Sequence, residues 1–446
     1  MDARLIGPVW RQPCGAGIGG EAGLRYIRSA AGDYRLMSDI QAASPSIDPT
    51  AKLSIGFVNW AHVLDHYVML VFPTVVLSLE AVYGRSYAEL IALGTASFAA
   101  FGIFSLPAGW LGDRWSRRNM MATFYFGCGI SLALAAVAPN LTILAVALFA
   151  LGAFAAIYHP VGTALLIEKA TSRGRSLAFN GVCGNLGVAF AAGITALLAS
   201  TVGWRWAYVV PAVVCILSGA AFLWFVPEDS RLAKRRGTTA DVRFAPWLAA
   251  TIFVLFAVIA VTAGLVFNVA TIALPKIIDD KVGTALPLAL VGTVATVVFF
   301  FGAIAQLAVG RLVEMVRPHL LFLGAAVLQF IGIVWAAYSS GLMLLVAMTV
   351  TITGIYAQVT INDYVIARYT ADAWRSRVYS VRYFLSFIVS SAAVGSIAFF
   401  YARGGFDLVL GFTAAIGFGF VIATAMIAIL VNDVEREKAR AIQPAE

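Results

Sequence analysis

Residues 61–70 read AHVLDHYVML, and they place His62, Asp65 and His66 inside an otherwise apolar run. These residue types are the ones that accept and release protons. At 100° per residue, Asn59, His62, Asp65 and His66 share about one third of a helix circumference. A charge at bilayer depth costs about 3 kcal/mol or more, so such groups face a cavity or a partner and not lipid. Burial disfavours the charged form of a carboxylate and of an imidazole alike. The stripe is therefore a candidate proton site, with a neutral hydrogen-bonded His–Asp pair that only holds helices together, and direct solute contact, as the alternatives. A third histidine, His159, precedes Pro160, which removes a backbone donor and bends a helix. His159 is either a further member of the same cluster or a core histidine beside a kink. The fourth, His319, reads as loop-borne.

The elements that must position these groups are legible in composition. The chain has 446 residues, 61% hydrophobic and only 12% charged, which is a membrane-protein composition. Twelve apolar segments are each long enough to span the hydrocarbon core as a helix. Their limits are 54–79, 87–111, 119–138, 141–167, 177–201, 204–226, 246–276, 285–310, 319–338, 342–367, 378–402 and 406–431. Of the 31 Lys and Arg, five (Arg85, Arg205, Lys276, Lys281 and Arg403) fall at one surface and Arg382 falls inside a segment; the rest fall at the other surface or in the tails. The positive-inside rule then places both termini in the cytoplasm of a multi-pass protein of the cell membrane, in a bacterium the inner membrane. The same rule accounts for the net charge of +8 without nucleic acid.

Residues 1–53 lack the apolar core of a secretory signal and read as a mobile cytoplasmic tail, with Met37 an alternative start. Residues 54–226 and 246–432 each hold six segments, joined by a basic cytoplasmic linker at 227–245, and 433–446 form a C-terminal tail. The halves repeat weakly. GWLGD at 109–113 corresponds to GRLVE at 310–314, and Pro73 corresponds to Pro275. Aligning Arg175 with Arg377 sets Asn180 opposite Arg382. The expectation is an all-α protein of two pseudo-symmetric six-helix bundles with a solute site between them.

The loop GWLGDRWSRRNMM at 109–121 has a Gly that ends one helix, then an acid and several arginines in a tight turn. It resembles the signature loop of the major facilitator superfamily, with Ser116 in place of the usual glycine. That resemblance implies a secondary transporter in which Gly109, Asp113, Arg114, Arg117 and Arg118 form a conformational latch; the plainer reading is that the arginines only mark the cytoplasmic side. Tyr158-His159-Pro160, Gly184-Asn185-Leu186-Gly187 and the pair His62 and Asp65 resemble the fosmidomycin-resistance type of facilitator, although the helix-5 Gly-Pro of drug antiporters is missing. The resemblance also implies that the first, fourth, seventh and tenth helices line the cavity.

The reading is a transporter powered by a proton gradient. Asp65, His62, His66 and His159 are its proton-coupling candidates. Asn59, Tyr158, Asn180, Asn268, Tyr356, Gln358, Asn362 and Arg382 are its solute-binding candidates. A guanidinium fork suits a carboxylate, so Arg382 is a counter-charge for an anion unless it snorkels to the surface or pairs with Asp363. Export by antiport of an anionic or amphipathic metabolite or drug is expected, with import by symport as the alternative and a non-transporting sensor or scaffold as the alternative from another class. No P-loop lysine, H-E-x-x-H or G-x-S-x-G occurs, so no ATP engine and no enzyme chemistry is expected. Cys14, Cys128, Cys183 and Cys215 have no paired spacing, so neither disulfides nor a metal site is expected. The expected partners are a small solute, protons and the bilayer, with no other cofactor and a monomeric state.

Overall fold

A computed structural model describes residues 26–28, 34–36, 49–171, 173–228, 246–282, 286–369 and 372–442. Two units are distinguished, Met1–Asp48 and Pro49–Glu446. In the first, strands β1 (Tyr26–Arg28) and β2 (Tyr34–Leu36) pair antiparallel, with Ile27 opposite Arg35. Most of the expected tail and of the basic linker lies outside the described residues.

The second unit is helical, which pairs the backbone groups of each span within the span itself. Its elements are α1 (Pro49–Tyr83), α2 (Tyr87–Ile91), α3 (Gly94–Arg114), α4 (Arg117–Ala136), α5 (Leu141–Ala155), a π-helical turn (Tyr158–Gly162), α6 (Thr163–Lys169), α7 (Arg173–Thr201) and α8 (Trp206–Phe225). There follow α9 (Pro246–Lys281), α10 (Leu288–Met315), α11 (Pro318–Ala337), α12 (Gly341–Tyr369) and α13 (Asp372–Ile442). Among the described residues, 11 stretches are long and apolar enough to cross a membrane. The last of them, Phe384–Asn432, has 49 residues and breaks at Gly404 and Gly405, where φ reaches 60° at Gly405. Only glycine takes that backbone readily. This stretch therefore counts as two spans and restores the expected twelve.

Local chemistry sets several ends. Asn140 caps α5 by accepting from the Ile143 amide at 2.9 Å, which accounts for an asparagine at this helix start. Ser116 caps α4 by accepting from the Asn119 amide at 3.2 Å, so the residue that departs from the usual glycine has a structural task. Gly109 does not end a helix: α3 continues to Arg114, and Gly109 instead lies against Pro160.

The halves meet where α7 packs on α10, α3 on α13 and α1 on α9. At the end that carries Glu80 and Lys276, one apolar core runs through both halves, with Val76 and Leu79 of α1 and Ile272 and Ile277 of α9 fully buried in it. At the opposite end the second half has a core of its own, built on Phe256, Phe322, Ile361 and Phe420. His319 is not loop-borne. It lies in the first turn of α11, fully buried, and its Nε2 meets Asn432 Oδ1 at 2.9 Å. An uncapped Pro-His start hid the helix boundary, which moved a buried histidine into an apparent loop.

Candidate functional site

The α1 stripe points into the first half. His62 Nδ1–H donates to the Asn180 carbonyl at 2.6 Å. That bond assigns the tautomer, so His62 Nε2 carries a lone pair and accepts from His66 Nε2–H at 3.2 Å. His159 arrives from the π-helical turn beside Pro160 and meets both rings edge-on, at centroid distances of 5.4 and 5.7 Å. π-turns mark functional sites often, and this one carries the imidazole that contacts α1. The partner of Asp65 is His159, with Nε2 3.4 Å from Oδ2, and neither histidine of its own helix. Asp65 is buried, and its Oδ1 has no hydrogen-bond partner among the described residues.

The cluster needs close helix contact. A Cβ on Gly184 would stand 2.6 Å from His62 Nε2 and 2.9 Å from His66 Cδ2, and one on Gly187 would collide with the Val63 carbonyl. Gly187 lets the α7 backbone lie against that of α1, and a side chain at Gly184 would press on the two imidazoles. Behind His62, Tyr158 stacks on its ring at 4.7 Å and donates to Asn180 Oδ1 at 3.1 Å. Asn180 Nδ2 donates to Asn59 Oδ1 at 2.9 Å. The three imidazoles place ring nitrogens within 4.8 Å of one another, close enough for one divalent cation. In this state His62 and His66 share a hydrogen bond and His159 pairs with Asp65.

A cavity of 170 Å³ lies beside this cluster and between the halves. Asp65, His66 and His159 line one side; Asn268, Gln358, Asn362 and Arg382 line the other, with Phe98, Phe101 and Phe267 as apolar wall. Of the solute-binding candidates, Asn268, Gln358, Asn362 and Arg382 therefore come together. Asn59, Tyr158 and Asn180 do not line the cavity; they form the buried lattice behind His62. Tyr356 is fully buried beside Phe267 and also does not line it. Arg382 stands on the cavity wall, and the side chain of Asp363, its alternative partner, lies outside the described residues.

The loop candidates bond within the first half. Arg117 bridges Asp113 and Glu168, each at 2.9 Å. Arg118 donates to the Leu223 carbonyl at 2.7 Å and to that of Val226, and Arg114 lies over the Trp110 ring. At the other end, a network joins the two halves. Lys276 Nζ meets Glu80 at 2.8 Å, Asp279 at 2.9 Å and Asp280 at 3.2 Å, and Tyr401 donates to Asp280 at 2.6 Å. Lys281 pairs with Asp407, and nearer mid-depth Asn185 donates to Gln306 across the halves. Sequence reasoning treated Lys276 and Lys281 only as charges at the sparse surface. The spacing of Lys276 to Asp279 and Asp280 was visible, whereas Glu80 requires the pairing of α1 with α9.

The sequence profile described as Major Facilitator Superfamily matches residues 57–393, which is most of the chain. This chain belongs to the major facilitator superfamily. The facilitator is 27% identical over 187 residues to the probable L-galactonate transporter of Escherichia coli (strain K12), a match covering 42% of this chain and 40% of that one. It thus spans well under half the length of that relative. Two solved structures share its fold. A bacterial homolog of the human lysosomal transporter Spinster, inward-facing and occupied, superposes with a TM-score of 0.70 at 14% identity, covering 86% of this chain and 97% of that one. A POT family transporter in complex with 5-aminolevulinic acid gives 0.68 at 10%, covering 85% and 96%. By this membership and its apolar helices the facilitator is a multi-pass membrane protein.

Proposed function

We propose that this facilitator carries a small organic anion together with protons, by rocking one half against the other about the central cavity. The observation that carries this reading is that Asp65 of the first half and Arg382 of the second line the same cavity. Arg382 attracts an anion. A charged Asp65 repels it, and a protonated Asp65 does not. Proton and anion therefore load together, which is the sign that symport requires. Antiport, the direction favoured from the sequence alone, would need the anion to bind better when Asp65 is charged.

The His62, His66 and His159 chain then shares the proton with Asp65. The closed network at Glu80 and Lys276, and the separate core of the second half at the opposite end, support a state open on the side of the 113–118 loop. By the distribution of lysine and arginine that side is the cytoplasm, which holds both termini, and the membrane is the cell membrane. The likeness to the fosmidomycin-resistance type enters this reading only through the His–Asp helix and the aromatic-His-Pro turn. The relative's printed name concerns a carboxylate, in line with an anionic solute.

Reconstitution in liposomes with an internal pH dye tests the proposal. Adding the transported acid outside should acidify the lumen. Alkalinisation would establish antiport, and a silent dye during solute flux would remove proton coupling.

A further inference from the structure

α1 and the π-helical turn bring three imidazoles, those of His62, His66 and His159, to one point beside the cavity. His62 Nε2 and His66 Nε2 are 3.2 Å apart. Two imidazole nitrogens on one tetrahedral zinc stand about 3.3 Å apart, given Zn–N bonds of roughly 2.0–2.1 Å. The separation that here holds a shared hydrogen therefore also fits a shared cation. His159 adds a third nitrogen, all three lying within 4.8 Å of one another, and a turn of its ring is what would close the set.

Two surrounding features are those of a metal site. A ligating imidazole donates its second ring N–H to a carbonyl or carboxylate, which fixes the tautomer and aims the lone pair. His62 Nδ1–H does this to the Asn180 carbonyl at 2.6 Å, which leaves Nε2 as a lone pair beside His66. A buried dication also needs negative charge close by. Asp65 is 1% exposed, with Oδ2 3.4 Å from His159 Nε2 and Oδ1 without a hydrogen-bond partner among the described residues. In that position a carboxylate either orients the imidazole or takes a fourth coordination position itself. His66, His159 and Asp65 line the cavity, which supplies the way in. We propose that His62, His66 and His159 form a site for one divalent cation of the zinc type, entered from the cavity. Imidazoles suit zinc, nickel and copper, whereas magnesium and calcium take oxygen sets. The unpaired cysteines gave no sign of the site, because its donors are histidines far apart in the chain. Neither the solute nor the direction of coupling enters this assignment.

The test uses the full chain purified in detergent without a histidine tag, and zinc itself as the probe. In equilibrium dialysis one equivalent of zinc should bind and persist against about a hundredfold excess of magnesium or calcium. His66→Gln and His159→Gln should each lower the affinity by at least about tenfold. X-ray absorption at the zinc edge of the wild-type complex should show three imidazoles with Zn–N of about 2.0–2.1 Å, and it needs no variant to fold. No bound zinc, displacement by magnesium or calcium, a sulfur shell, fewer than three imidazoles, or unchanged affinity in either variant overturns the site. The liposome assay of proton coupling and this binding assay fail independently of each other.

Discussion

Lys276 on α9 reaches Glu80 on α1 at 2.8 Å, and it is the cation around which three carboxylates gather at the closed end of the molecule. Lys276 is nearly buried, and its carboxylates are partly exposed, so the pairing is worth more than a surface bridge while still tempered by solvent. Lys276→Ala leaves Glu80, Asp279 and Asp280 facing one another. Closure at this end should lose on the order of 1 kcal/mol, a roughly fivefold change in the ratio of the two states. Spin labels at Val82 and Leu408, both exposed near this end, should report a longer distance population in the variant, in a background freed of native cysteines. An unchanged distribution would mean that packing alone holds the end closed.

Gly184 sets the distance between α7 and the histidines of α1. In Gly184→Val the side chain occupies the space of His62 and His66, so the His–His hydrogen bond cannot persist. Coupled flux should fall by at least about tenfold, with a loss of ~1–3 kcal/mol from overpacking. Transport rates and thermal melting in detergent check this together. Wild-type flux would show that α7 can retreat without consequence.

Asn180 holds His62 through its backbone and holds Asn59 and Tyr158 through its side chain. The two roles separate in Asn180→Ala, which keeps the carbonyl. The variant should lose ~1 kcal/mol of stability, the usual net worth of such bonds, while the stoichiometry of protons to solute stays at the wild-type value. Loss of coupling with intact expression would assign the side chain to the solute site instead.

The fold was legible because apolar runs near span length, glycines and the lysine–arginine asymmetry are one-dimensional signals. The α1 stripe was legible for the same reason: helical period places His62, Asp65 and His66 on one face. What connects them was not. The bond from His62 to the Asn180 backbone carries no side-chain signature, and the His159–Asp65 contact depends on a π-turn that period counting does not anticipate. The weak repeat sets Asn180 opposite Arg382, yet only Arg382 lines the cavity, while Asn180 is buried against His62, Tyr158 and Asn59. Lys276 looked like a topology exception and is a cross-half ion-pair centre, which requires the packing of α1 on α9.

Arg382 carries the anion in this account. Arg382→Ala should weaken an anionic solute by about ten- to hundredfold, as befits a charged hydrogen bond of roughly 1.5–3 kcal/mol, and a neutral solute of similar size far less. Competition assays on purified protein measure both. Equal loss for the two solutes would assign Arg382 to the helix surface.

The central claim is that Asp65 couples proton entry to anion movement, and accumulation against a gradient tests it most directly. Proteoliposomes with an acidic exterior should concentrate the anion above equilibrium with the wild-type chain. Asp65→Asn keeps the shape and an acceptor for His159 but holds no exchangeable carboxyl proton, so it should bring the anion only to equal concentrations while still exchanging labelled for unlabelled solute. Uphill accumulation by Asp65→Asn at the wild-type level would contradict the account.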